Sequence, residues 1–290
     1  MLDLILDSLL DALKDGALSI PILFIAYLLM ELLERSKKLD ESILHSYSRK
    51  AGPALGGLLG AIPQCGISGA AATLFSTGAV TVGTMMAVFF ATSDEMLPVM
   101  LSAMTGERAI APGRILAIVA AKAGLGILLG YLVDLLWGPL FGRDKDIHSF
   151  CEREHCSCDG EEGSPLRSAL RHTVQIALML IAVNFALNLI LSLVGAERLS
   201  ATLLSRPVIG ELLLALLGLI PNCSVSVIIT QAYLSGIVGL GGLFAGLLAN
   251  AGIGMLVLFR SNRDLRENLR VVVISYVLSV LCGSVIGLLF

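Results

Sequence analysis

Long apolar runs alternate with short polar joints along this chain. Residues 17–33, 80–104, 115–137, 173–194, 238–259 and 271–290 are each apolar for long enough to cross about 30 Å of hydrocarbon as a helix rising about 1.5 Å per residue. Charged residues fall almost entirely between these runs, so the pattern predicts a bundle of membrane-spanning helices. Two further apolar stretches, 52–77 and 210–235, are long enough for one crossing but are cut near their middles by Pro63 and Pro221. Proline removes a backbone donor and clashes with the preceding turn, so a helix kinks or ends there. Backbone released at membrane depth is tolerated only where protein or water surrounds it. Each stretch therefore crosses once as a broken helix or folds back as a helical hairpin. At the start of the chain, Asp3, Asp7, Asp11 and Asp15 share one helical face and Leu2, Leu6, Leu9, Leu10 and Leu13 the other. This is no basic cleavable leader; it reads as an amphipathic helix, lying in the interface or packed on the first span.

The two Pro-cut stretches align without a gap. Leu-Gly-Ala-Ile-Pro-Gln-Cys-Gly-Ile-Ser, from Leu59 to Ser68, matches Leu-Gly-Leu-Ile-Pro-Asn-Cys-Ser-Val-Ser, from Leu217 to Ser226. The same register pairs Gly52 with Gly210, Gly78 with Gly236, Gly83 with Gly241, Ala87 with Ala245 and Ala91 with Ala249. A Pro-broken apolar segment that recurs at a matched place reads as an internal duplication of the kind transporters use. Hairpins would make the two halves inverted, and single crossings would make them parallel. With hairpins, Arg35, Lys37, Lys38, Arg49, Lys50 and the basic residues of 143–171 and 260–270 collect on one side, leaving Lys14, Arg108, Arg114, Arg198 and Arg206 on the other. The asymmetry weakens slightly in the parallel arrangement, and analogy with transporters built from inverted repeats favours inversion, which puts the central loop in the cytoplasm.

Composition agrees: 56% of residues are hydrophobic and only 15% charged, well below the charged share of a soluble domain. A net charge of -3, without a basic stripe carrying aromatics, argues against a nucleic-acid partner. The expected fold is all-α: a polytopic membrane protein of two homologous, inverted repeats with Pro-broken helices or helical hairpins. Its parts are the amphipathic helix with membrane repeat 1 (1–137), a polar Cys/His-rich loop (138–167) and membrane repeat 2 (168–290).

The candidate chemistry lies at the breaks. Cys65 and Cys223 follow them directly, each preceded by an amide (Gln64, Asn222) and followed three residues on by a hydroxyl (Ser68, Ser226). Thiolates are soft ligands suited to zinc, cuprous copper or trivalent arsenic, and a helix amino terminus favours the thiolate. Packing as a small buried hydrophobe is the competing role for both cysteines. Asp94 and Glu95, flanked by Thr92, lie deep in the run 80–104, where an ionised acid is costly and commonly marks an ion path or proton relay. The repeat partner of Thr92 is Asn250, but the acids align with Gly252 and Ile253, so the site is asymmetric. Thr73, Asn184, Asn188 and Gln231 are secondary candidates for which interhelical hydrogen bonding is an equal explanation. Lys122 is a lone cation within a span, expected to pair with an acid or to snorkel. The central loop concentrates His148, Cys151, His155, Cys156 and Cys158, a set suited to a flexible metal-delivering or metal-sensing segment. Cys282 reads as packing.

The paired Ile-Pro-Gln-Cys-Gly and Ile-Pro-Asn-Cys-Ser-Val-Ser elements, the Ala-Thr-Ser-Asp-Glu-Met-Leu-Pro run at 91–98 and the Cys/His-rich loop resemble a ten-segment heavy-metal exporter family, known variously for arsenic efflux and for manganese export. The resemblance implies export of a metal or metalloid across the bacterial inner membrane by a multi-pass protein. Without a Gly-x-x-x-x-Gly-Lys-Ser/Thr sequence, transport should be secondary and proton-coupled through Asp94 or Glu95. The divalent metal or metalloid is then substrate, no cofactor is required, the lipid bilayer is the chief partner, and homo-oligomerisation stays open. A carrier for an anion or an organic sulfur or arsenic compound is the alternative, followed by a membrane thiol oxidoreductase; otherwise the chain is no enzyme.

Overall fold

In a computed structural model of the chain, the structure describes residues 24, 25, 28, 41–93, 95–105, 110–141, 170, 173, 174, 178 and 209–289, with backbone alone at 41–50, 65, 105 and 223. The amphipathic amino-terminal helix, Asp94, the five loop ligands, Asn184 and Asn188 lie outside the described residues, as do most of the runs 17–33 and 173–194. Among the described residues there is no strand. The helices are α1 (Glu41–Gly60), α2 (Cys65–Ser76), α3 (Val82–Ala91), α4 (Met96–Ser102), α5 (Pro112–Leu136), α6 (Ile209–Gly218), α7 (Cys223–Leu234), α8 (Leu240–Ala249), α9 (Gly254–Ser261) and α10 (Leu265–Leu289).

Residues 61–64, with Pro63, separate α1 from α2, and residues 219–222, with Pro221, separate α6 from α7. Gln64 and Asn222 are both extended, with φ of -154° and -144°, and the helices resume at the cysteines. The turns after α2 and α7 each place a glycine in the left-handed region, Gly78 at φ 80° and Gly236 at φ 75°, where a Cβ would be strained.

The runs 80–104 and 238–259, expected as continuous spans, are each two helices. Thr92 leaves the helical region with ψ 122°, its hydroxyl donating back to the Val88 carbonyl at 2.7 Å. Asn250 leaves with ψ 98°; its Oδ1 accepts from the Gly252 N–H at 2.9 Å, and Gly252 takes φ 54°. Short polar side chains that bond nearby backbone offer the chain an alternative to the helix, and here the alternative prevails.

Small residues fix how the helices pass. A Cβ at Gly56 would lie 2.7 Å from the Thr84 carbonyl oxygen, and one at Gly60 would lie 2.7 Å from that of Val88 and 3.0 Å from Ala91 Cβ. α1 therefore runs beside α3 in the same direction and ends level with its end. Because α3 starts at the far level, α2, about 18 Å long, runs back between them. α5 passes α3 in the opposite sense, with Gly130 against Gly83 and Ala87 and Gly126 against Ala87 and Ala91. The same relations recur later in the chain: Gly218 abuts Gly246 and Ala249, and Gly283 abuts Ala245 and Gly241.

α3 and α8 form the centre, with every residue of α3 and residues 241–249 of α8 buried. The other helices surround them; early and late helices meet where α3 packs on α8, and further out where α2 packs on α9 and α7 on α4. Four segments among the described residues are long and apolar enough to cross a membrane: Val82–Ser102, Pro112–Leu136, Leu240–Ser261 and Leu265–Leu289. On the outer two, Leu116, Leu128, Leu135, Val273, Val277 and Leu281 are exposed, the surface expected to meet lipid.

Candidate functional site

Four helix interruptions meet at one depth. α5, about 38 Å long, is a ruler for that depth. Lys122 stands near its midpoint, is 2% exposed, and its ammonium donates to the carbonyl of Thr92 at the end of α3. The α3–α4 break is thus near the middle of a span, and the turn at 61–64 lies level with it, because Gly60 abuts Ala91. From the other half, a Cβ on Gly254 at the start of α9 would lie 2.7 Å from the Phe89 ring and 2.8 Å from Ser68 Cβ, so the α8–α9 break abuts the first turn of α2. Gly218 abuts Ala249, which brings the turn at 219–222 level with that break.

The polar side chains at these interruptions are enclosed. Ser68, Thr92, Ser93, Asn222, Ser226 and Asn250 are all buried, while Gln64 and Glu95 are half-buried. Asn222 caps α7, its Oδ1 accepting from the Ser224 N–H at 2.7 Å; Gln64 makes no such cap on α2. Ser93 donates to the Ala91 carbonyl at 3.0 Å. Cys65 and Cys223 are the first residues of α2 and α7, at the mid-depth ends of those helices. The ends carry both signs: the amino termini of α2, α4, α7 and α9 supply partial positive charge and the carboxyl termini of α1, α3, α6 and α8 partial negative charge. Such a place can accept an ion of either sign, with freed carbonyls, hydroxyls and amides as ligands.

Farther along α2 and α7, polar side chains bond within their own helix or are exposed. The Thr73 hydroxyl donates to Gly69 O at 3.1 Å, the Thr230 hydroxyl to Ser226 O at 2.7 Å, and Gln231 is exposed. Among the described residues, no group of three or more His, Cys, Asp and Glu stands close enough to hold a metal ion.

Three enclosed acids escaped the reading of the sequence: Asp134, Glu211 and Glu267. Asp134 in α5 accepts from the Thr81 hydroxyl and from the Gly83 N–H, both at 2.7 Å, and so caps the start of α3. Glu211 in α6 is buried beside α10, its Oε1 2.9 Å from where a Cβ on Gly287 would stand. Their signal was an ionisable residue within, or at the edge of, an apolar run.

A protein family described as "Putative, 10TM heavy-metal exporter" matches residues 1–193, two thirds of the chain. The chain belongs to this heavy-metal exporter family. No curated protein and no solved structure matches it. Heavy-metal exporters are multi-pass membrane proteins whose role is transport, and the all-helical bundle with several membrane-length apolar segments accords with that architecture.

Proposed function

We propose that this family member is a secondary transporter that exports a metal or metalloid ion across the bacterial inner membrane, with the cargo bound at mid-depth between the two Pro-x-Cys turns. The observation that carries the reading is the meeting of four helix interruptions, lined by buried Ser68, Thr92, Asn222, Ser226 and Asn250, near the middle of the spanning helices. Discontinuous helices that present backbone and polar side chains at mid-depth are the recurrent means of holding ions in secondary transporters. Cys65 and Cys223 supply soft ligands, and Gln64, Ser68, Asn222 and Ser226 stand beside them. Asp94 or Glu95 carries the protons whose entry is exchanged for exit of the cargo. The loop ligands His148, Cys151, His155, Cys156 and Cys158 gather metal on the cytoplasmic side.

The scaffold is an inverted duplication, α1–α5 and α6–α10, whose two hairpins α1–α2 and α6–α7 carry the Pro turns at their tips. Equal lengths of α2 and α7, and of α3 and α8, support this reading, as do the crossed contacts of α2 with α9 and α7 with α4. Rocking of one half against the other gives alternating access.

Uptake by the full chain in proteoliposomes tests the proposal, with arsenite, zinc, cuprous copper and manganese offered with and without a proton gradient. Transport should follow the gradient, and Cys65→Ser with Cys223→Ser should slow soft-cargo transport by at least about tenfold. Manganese transport that survives the cysteine changes but not the neutralisation of Asp94 and Glu95 would reassign the cargo to oxygen ligands. Movement of none of these ions refutes the reading. The uncapped amino terminus of α2 at mid-depth favours a second reading, an anionic cargo such as an oxyanion or an organic arsenic or sulfur compound.

A further inference from the structure

Three buried side-chain oxygens find no hydrogen-bond partner among the described residues: Asn268 Oδ1, Ser275 Oγ and Ser279 Oγ. Their residues are 1%, 0% and 0% exposed. All three lie on α10 and share one face, because a step of seven residues returns to within about 20° and the next step of four adds about 40°. That face looks toward α8: Gly283, one turn beyond Ser279, lies against Ala245 and Gly241. One turn back from Gly283, Ser279 is level with Ala249; a further turn back, Ser275 is level with the α8–α9 break. Asn268 lies about 10 Å further on, beside α9. There its amide N–H donates to Asn262 O at 2.7 Å, and Asn262 Nδ2 donates to buried Glu267 at 2.9 Å, next to exposed Arg263 and Asp264. Unpartnered polar groups thus recur along this face from a surface turn to the mid-depth interruption, with Val271 and Val272 on the turn between Asn268 and Ser275.

The first half presents a different face. There Gly130 takes the place of Gly283, against Ala87 and Gly83, so Lys122 corresponds to Ser275 and Ile115 to Asn268. Ile115 is apolar and buried, and the Lys122 ammonium is committed to the Thr92 carbonyl. Buried hydroxyls and amides without a protein partner are normally satisfied by ordered water, which needs a polar site with several partners. Three on one face of α10, the first of them beside an exposed turn, supply one. We infer that Asn268, Ser275 and Ser279 line a water-filled half-path from the α9–α10 turn to the α8–α9 break. It gives the coupling ion access to mid-depth from one side of the membrane, and it rests on the transporter reading above for that role.

Thiol accessibility tests it on the full chain in sealed vesicles. Asn268→Cys, Ser275→Cys and Ser279→Cys are each treated with a charged, membrane-impermeant methanethiosulfonate, and the modified site is assigned by peptide mass mapping, with the native cysteines kept. Leu278→Cys, on a buried apolar position of the same helix, is the dry control. Because only a hydrated thiol ionises and reacts, Ser275→Cys and Ser279→Cys should react at least about tenfold faster than Leu278→Cys. They should do so from one face of the membrane only, with Asn268→Cys fastest. Rates equal to the control, or equal from both faces, overturn the inference. Ser275→Ala with Ser279→Ala is the second readout, which needs no new thiol to be tolerated. Removing dry, unpartnered hydroxyls raises the unfolding midpoint and overturns the inference, whereas removing hydrated ones leaves it unchanged or lowers it. Labelling reads water whatever the cargo, so its failure and the failure of the export reading are separate results.

Discussion

Replacing Asp134 tests how the central helix is anchored. The carboxylate accepts from the Gly83 N–H and the Thr81 hydroxyl, both at 2.7 Å, while Thr81 also accepts from the Thr84 N–H at 3.1 Å. A Cβ on Gly83 would lie 2.4 Å from the Asp134 carboxyl carbon and 2.2 Å from Gly130 O, so the acid rests on bare backbone with no room for a replacement partner. Asp134→Ala removes two hydrogen bonds to a charged acceptor, each worth about 1.5–3 kcal/mol, and strands an enclosed N–H. Release of the carboxylate from its buried site offsets part of this, so the expected loss is about 2–4 kcal/mol. Asp134→Asn keeps an oxygen for the Gly83 N–H and turns the other contact into a bond from its amide to Thr81, for an expected loss under about 1.5 kcal/mol. Equilibrium unfolding in mixed detergent micelles, read by helical circular dichroism, measures both variants. An unchanged midpoint for Asp134→Ala, or an equal loss for Asp134→Asn, refutes the capping argument; in the second case the charge itself, and not the bonds, would be what matters.

Two further substitutions probe the packing. Gly218→Ala places a Cβ 2.2 Å from Gly246 O, a backbone atom that cannot move aside, and should cost about 1–3 kcal/mol, whereas Gly124→Ala meets nothing within 4 Å and should be neutral or stabilise by up to about 1 kcal/mol. Equal effects of the two in the same unfolding assay would reject close helix approach at Gly218. Lys122→Met removes the charged donor from the Thr92 carbonyl and should lower stability by about 1–3 kcal/mol; a midpoint that does not move would mean that this carbonyl needs no cation.

The coarse architecture was legible because the bilayer simplifies the code: segments free of charge and long enough to cross must be helices. Pro63 and Pro221 lie between helices, and Gly78 and Gly236 sit at positive-φ turns. The interruptions at 92–95 and 250–253 were hidden because run length and apolar content are blind to a local contest between side chain and backbone. The signal was present in Thr92, Ser93 and Asn250, whose side chains bond nearby backbone as readily as they let a helix continue, and in Gly252, which tolerates a positive φ. Asp134 was visible as an acid within an apolar run, but its capping role was not. Its partner N–H is 51 residues away, so no spacing rule within one helix could find it. Cys65 and Cys223 were legible only as positions, since a thiol's role depends on what faces it.

On the proposed duplication, differences between the halves divide into two kinds. At the start of the central helices, α5 supplies Asp134 in the first half, and α10 has Gly287 in its place. The second half then brings an acid from elsewhere: Glu211 on α6 reaches Gly287, which itself lies against Gly241 near the start of α8, whereas the corresponding residue on α1 is Pro53, beside Gly130. Each half thus places one buried carboxylate near the amino terminus of its central helix, from different neighbours. The requirement is an anion at that end of the dipole, and either helix can satisfy it. At mid-depth there is no such exchange. Lys122 in the first half corresponds to Ser275 in the second, and the lost ammonium gives way to a hydroxyl without a partner among the described residues. A difference that is compensated preserves the scaffold, while one left uncompensated at the depth of the helix breaks is where selection for transport would act. On that duplication, the pair Lys122 and Ser275 distinguishes the two halves in structure more sharply than the acids at the helix starts.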